Sequence, residues 1–129
     1  MIKILVVEDE RDKLKAVMAG LLSVAGITDE NIKKARDANE AKHWLRTDHY
    51  DLMILDISIP ETSDLDPRPN GGLLLLDEVL ERDIYNKPRE VVGLTAFSEA
   101  QDASIPRFNS ELWTVLHYTT NSDDWLKQL

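Results

Sequence analysis

The chain contains no cysteine, which removes a disulfide framework and all thiol chemistry and leaves a reducing interior compatible with it. Long apolar runs are missing too, none approaching the ~20 residues that a membrane-spanning helix needs. The start, Met1-Ile2-Lys3-Ile4, runs straight into a strand pattern, so no signal peptide is expected and a cytoplasmic location is. Positive charge is scarce: 15 Lys and Arg stand against 24 Asp and Glu, a formal net charge of −9. That balance speaks against direct nucleic-acid binding, which needs a cationic footprint, and against an anionic membrane surface. There is no internal repeat, low-complexity tract or linker. A length of 129 residues is therefore read as one domain, large enough for a real core.

What is present is a set of short, fully apolar runs with polar ends. Leu52-Met53-Ile54-Leu55 ends in Asp56, Ile4-Leu5-Val6-Val7 ends in Glu8-Asp9, and Val91-Val92-Gly93-Leu94 ends in Thr95-Ala96. Continuous apolar strands belong to parallel sheets covered on both faces, and open α/β sheets place their ligand sites at the carboxyl edge. Two acidic ends and a hydroxyl delivered to one edge form a pattern suited to phosphoryl and metal chemistry. Strands are expected at 2–7, 32–35, 51–56, 90–94 and 112–117, the second marked as an edge by Lys33 and Lys34. Helices are expected at 10–25, with Leu14, Val17, Met18, Leu21 and Leu22 inward; at 38–47, with Ala41, Trp44 and Leu45 inward; and at 72–83, with Leu73, Leu76, Val79 and Leu80 inward. A short helix over 97–105 ends at Pro106, and a last one begins near Ser122. Alternation of this kind implies a right-handed, doubly wound parallel sheet. The last helix has about two turns before Leu129, short against the usual 11–12 residues, which hints at a piece of a longer protein.

In their order and spacing, Ile4-Leu5-Val6-Val7-Glu8-Asp9, Asp37-Ala38-Asn39-Glu40-Ala41, Asp51-Leu52-Met53-Ile54-Leu55-Asp56 with Pro60, and Leu94-Thr95-Ala96 resemble the receiver domain of two-component response regulators. The resemblance covers nearly the whole chain. It implies a flavodoxin-like, three-layer αβα fold with strand order 2-1-3-4-5, and a CheY-like signalling domain that catalyses only its own phosphorylation and dephosphorylation. Asp56 would be the phosphoacceptor, charged by a histidine kinase or phosphotransfer protein. Asp9 and Asp56 would bind Mg²⁺ directly, Glu8 through a water, and the Ser58 carbonyl would complete the protein's share. Thr95 would hydrogen-bond the phosphoryl group. The resemblance also implies an attached or separate output domain, and a possible homodimer through the face built from the fourth helix, fifth strand and fifth helix. Phe97, Phe108, Trp113, Tyr118 and Trp125 concentrate there, although core packing is their simpler use. Taken singly, Asp9 and Thr95 serve equally well as helix caps, and Asp56 as a turn residue.

Two departures from the family pattern stand out. A lysine followed by proline is expected after the fifth strand, where the candidate registers give Leu116, His117 or Tyr118. Neither Lys87 nor Lys127 obviously substitutes, so the response to phosphorylation is expected to be attenuated, or to run through Thr95 and the metal, with His117 a partial replacement when protonated. The connection over 61–70 is also longer than usual and carries Arg68, which suits either a lid or an inert surface insertion. Two other readings follow. One is a pseudo-receiver, an interaction module working without phosphorylation because the lysine is absent. The other is a haloacid-dehalogenase-type phosphohydrolase, disfavoured because Ser58 stands where such enzymes carry a second acid.

Overall fold

The computed structural model describes residues 2–60, 62, 71–95 and 114–117. In chain order its elements are β1 (Ile4–Val7), α1 (Arg11–Leu22), a 3₁₀ turn (Asp29–Asn31), β2 (Ile32–Ala35), α2 (Ala38–Thr47), β3 (Leu52–Asp56), α3 (Gly71–Glu81), β4 (Glu90–Thr95) and β5 (Thr114–His117). All the strand pairings are parallel, and the sheet order is β2-β1-β3-β4-β5, as expected. The predicted helices beyond Thr95, together with Arg68, Trp113, Tyr118 and Lys127, lie outside the described residues.

Alternation along the strands divides the interior into two layers. Leu5, Val7, Met53 and Leu55 face a core filled by Ala38, Ala41 and Leu45 of α2 and by Leu75, Leu76 and Val79 of α3. Ile4, Val6, Ile54 and Leu94 turn the other way, onto Val17 and Leu21 of α1. Both sheet faces are thus covered by helices, which is why these strands carry no polar residue at alternate positions. β2, the edge strand, departs from this: Ile32 and Ala35 are buried, but Lys33 and Lys34 are exposed.

Helix boundaries follow from local chemistry. Asp37 caps α2, its carboxylate accepting a hydrogen bond from the Glu40 N–H at 2.7 Å. Replacing Asp37 with alanine is expected to cost about 1 kcal/mol, read as a lower urea midpoint with an unchanged slope. The first helix ends sooner than its apolar pattern suggests, at Leu22 rather than residue 25. There the chain tightens, with the Val24 N–H donating to the Leu21 carbonyl at 3.1 Å, and Gly26 takes a φ of 89°. Leu22, expected inward, is 40% exposed as a result.

The start of α3 is pressed against the exit of β3. The Gly72 N–H donates to the Ile57 carbonyl at 2.7 Å. A Cβ on Gly72 would run into the Asp56 carbonyl oxygen and the Ile57 Cα, and one on Gly71 into the Ile59 carbonyl oxygen. Glycine is required at this point by close backbone approach, and the backbone it touches is that of Asp56 itself. Across the same exit, the Ala38 N–H donates to the Pro60 carbonyl at 3.0 Å, tying the start of α2 to the chain just after β3.

Candidate functional site

Register brings the acidic strand ends together. Val7 of β1 lies opposite Leu55 of β3, so the next residues on each strand, Glu8 and Asp56, emerge side by side at the carboxyl edge of the sheet. Both continue the even-numbered series of Ile4, Val6 and Ile54, the series that faces α1. Both are buried, at 2% and 3% exposure. Asp9, half-buried, stands next to Glu8, and one carboxylate oxygen from each of Glu8, Asp9 and Asp56 falls within 4.8 Å of the others. Asp9 is not the cap of α1. That position belongs to Glu10, and no side-chain hydrogen bond caps this helix.

Several local bonds fix the pair. The Glu8 N–H donates to the Ala35 carbonyl of β2 at 2.9 Å, and the Glu10 N–H donates to a Glu8 carboxylate oxygen at 3.1 Å. The Ser58 N–H donates to Asp56 Oδ1 at 3.1 Å, which gives Asp56 the turn-closing bond its sequence context suggests. The Ile57 N–H donates to the Leu94 carbonyl at 3.3 Å, holding the residues after β3 against β4. At the far end of that strand, Thr95 lies opposite His117 of β5 in the ladder. Lys87 is exposed before β4, remote in the chain from these contacts.

The residue that reading the sequence missed is Lys13. Its ammonium sits 3.0 Å from Glu8 Oε2 and 3.1 Å from Asp56 Oδ1, and the side chain is 3% exposed. A signal for it exists in the sequence, because Lys13, Val17 and Leu21 are spaced by four and are the three buried residues of α1. Reading the stripe from Leu14 hides it. A lysine on the buried stripe of the helix that covers Glu8 and Asp56 is brought against both carboxylates.

The electrostatics follow from burial. Loss of solvent, reinforced by the neighbouring Asp56 charge, pushes the Glu8 carboxyl from 4.5 up to about 8. Burial also raises Asp56, with Lys13 pulling the other way. Burial alone would lower the Lys13 ammonium, but the facing Asp56 and Glu8 charges outweigh it and hold it above its ordinary 10.5. Burial thus favours the proton on Glu8, while Lys13 opposes the upward push on Asp56. The donor set is all carboxylate oxygen, which fits a hard divalent cation, and such an ion would displace the Glu8 proton on binding. The acidic triad is able to bind a metal.

Known proteins resemble this chain. A family model for the response regulator receiver domain matches residues 4–106. The uncharacterized protein y4jS of Sinorhizobium fredii (strain NBRC 101917 / NGR234) is 32% identical over 127 residues, covering 98% of this chain and 30% of that protein. The chain thus spans under a third of the length of that relative. Among solved structures, the response regulator TrrA from Thermotoga maritima, in complex with Mg(2+)-BeF, is 25% identical with a TM-score of 0.64, covering 99% of this chain and 95% of the other. The Mn(2+)-bound form of response regulator Rcp1 gives 22% identity and a TM-score of 0.75, over 99% and 88% of the two chains. The chemotaxis response regulator CheY4 of Vibrio cholerae gives 21% and 0.71, over 99% and 95%. At these lower identities, Rcp1 and CheY4 establish the fold.

Proposed function

The chain belongs to the response regulator receiver domain family, a signalling module rather than a conventional enzyme, and on that premise we propose that it accepts a phosphoryl group on Asp56. The observation that carries this reading is the convergence of Glu8, Asp9 and Asp56 at the carboxyl edge of the sheet, with ligand oxygens within 4.8 Å of one another. Receiver domains generally partner histidine kinases, and a phosphohistidine is the donor proposed here. An Asp56 carboxylate oxygen attacks phosphorus, the N–P bond breaks, the electron pair leaves with the imidazole, and an acyl phosphate remains on Asp56. A divalent cation, Mg²⁺ in this proposal, held by Glu8, Asp9, Asp56 and the Ser58 carbonyl, would neutralise charge gathering on the phosphoryl oxygens. The protein's own part is positional. The Ser58 N–H holds Asp56 Oδ1, which orients the carboxylate. Thr95, ending the neighbouring strand, is proposed as the hydroxyl partner of the phosphoryl group.

Beyond this site, the proposal includes an output domain, attached or separate, and contact or dimerisation through the face around β5. A second reading, an interaction module that works without phosphorylation, draws on one observation: the pocket already carries its own cation in Lys13. Intact mass spectrometry after incubation with acetyl phosphate and Mg²⁺ separates the two. A phosphate-sized gain that disappears in Asp56→Asn is expected. No gain under conditions that label a control receiver would give the case to the second reading.

A further inference from the structure

We propose that Lys13 is a tethered competitor for the divalent cation, occupying the space between Glu8 and Asp56 so that the pocket is assembled without metal and binds it weakly. The inference rests on the metal site proposed above and adds to it a residue that sets its affinity. Three observations carry it. The ammonium contacts the two most deeply buried carboxylates of the triad at once, at 3.0 Å and 3.1 Å. Both of those carboxylates also belong to the oxygen cluster that could hold an ion, so ammonium and metal draw on the same donors. Finally, Lys13 comes from the buried stripe of α1 together with Val17 and Leu21, where an apolar side chain would complete the packing.

That last point matters because a buried ion pair adds little stability over a well-packed apolar replacement, so packing does not account for a lysine here. The side chain is 3% exposed, and its charged tip lies at the two carboxylates. A divalent ion entering between Glu8 and Asp56 meets a positive charge held a hydrogen-bond length from both donors. It binds only when that ammonium swings away, and the cost of the swing is subtracted from its affinity. Lys13 is therefore a positioning residue: it acts on the cation through the carboxylates they share.

The test is a calorimetric titration of the full chain with Mg²⁺, repeated with Mn²⁺. Lys13→Met and Lys13→Gln are expected to bind each ion at least about tenfold more tightly than the native chain, while Lys13→Arg, which keeps the charge, stays weak. A lysine that only packs would give variants of equal or lower affinity, and that result overturns the proposal. Should neither neutral variant fold, the native protein decides. The Lys13 ¹⁵Nζ resonance must shift on saturation with Mg²⁺, and an unmoved signal also overturns the proposal. The outcome is separable from the phosphoacceptor reading. Tighter metal binding in Lys13→Met with no phosphoryl uptake on Asp56 would keep this inference and lose that one, and the reverse pattern would do the opposite.

Discussion

Gly72→Val is expected to cost about 3 kcal/mol or more. The added Cβ has no room, because it meets the Asp56 carbonyl oxygen and the Ile57 Cα, both backbone atoms that no side-chain rotation can move aside. Relief requires α3 to lift away from the exit of β3, breaking the 2.7 Å bond from the Gly72 N–H to the Ile57 carbonyl. Since Leu75, Leu76 and Val79 enter the core from the same helix, such a lift also opens the α3 side of the interior. A domain of this size has only about 5–15 kcal/mol in hand, so a large part of it would go. Urea unfolding followed by far-UV circular dichroism measures the loss. A midpoint equal to that of the native chain would show that the contact at Gly72 is looser than described.

The second large effect is a dependence of stability on pH. Glu8 keeps its proton in the folded state up to about 8, whereas in the unfolded chain it releases it near 4.5. Between those values the folded state binds more protons, so stability falls as pH rises. The contribution is fully present below about 4.5 and is lost as pH passes through about 8. Asp56, raised by burial against the pull of Lys13, adds to the same slope. Lys13, held above its ordinary 10.5, is charged in both states throughout this window and adds none. At about 1.4 kcal/mol per pH unit of separation, the loss between pH 5 and 8 amounts to a few kcal/mol. Glu8→Gln, which cannot ionise, should flatten the profile and be the more stable protein at pH 8. Adding Mg²⁺ should restore the native chain more at pH 8 than at pH 5, because the metal needs the ionised carboxylate. Denaturant titrations at both values, with and without the ion, check all of this. A native stability that climbs from pH 5 to 8 would place Glu8 in a far more polar setting.

Much of the fold was legible because its signals are redundant. The three apolar runs ending in Glu8, Asp56 and Thr95 announce strands buried on both faces, and the lysines of β2 announce its place at the rim. The acidic triad could be found from strand ends alone, since parallel pairing puts the ends of β1 and β3 at one edge. Lys13 escaped because its meaning depends on tertiary structure. In an amphipathic helix, a lysine beside a stripe of Leu and Val reads as solvated, and only the orientation of α1 over the even-numbered residues of β1 and β3 turns it inward. The family pattern directs attention to the end of the fifth strand and to Lys87 and Lys127, whereas the cation beside Asp56 comes from the first helix. The early end of α1 escaped for a different reason. Apolar Val24 and Ala25 prolong the helical pattern, and the modest helix propensities of Ser23 and Val24 are too weak a signal to mark the tightening after Leu22.

The two anchors on either side of residues 61–70 have a practical consequence. Pro60 is bonded through its carbonyl to Ala38, and Gly71 and Gly72 are pinned on Ile59 and Asp56, so this stretch departs from and returns to fixed posts. A change in its length would therefore be expected to leave Asp56 in place. That makes it the natural graft point for a label or a foreign peptide in a working copy of the domain.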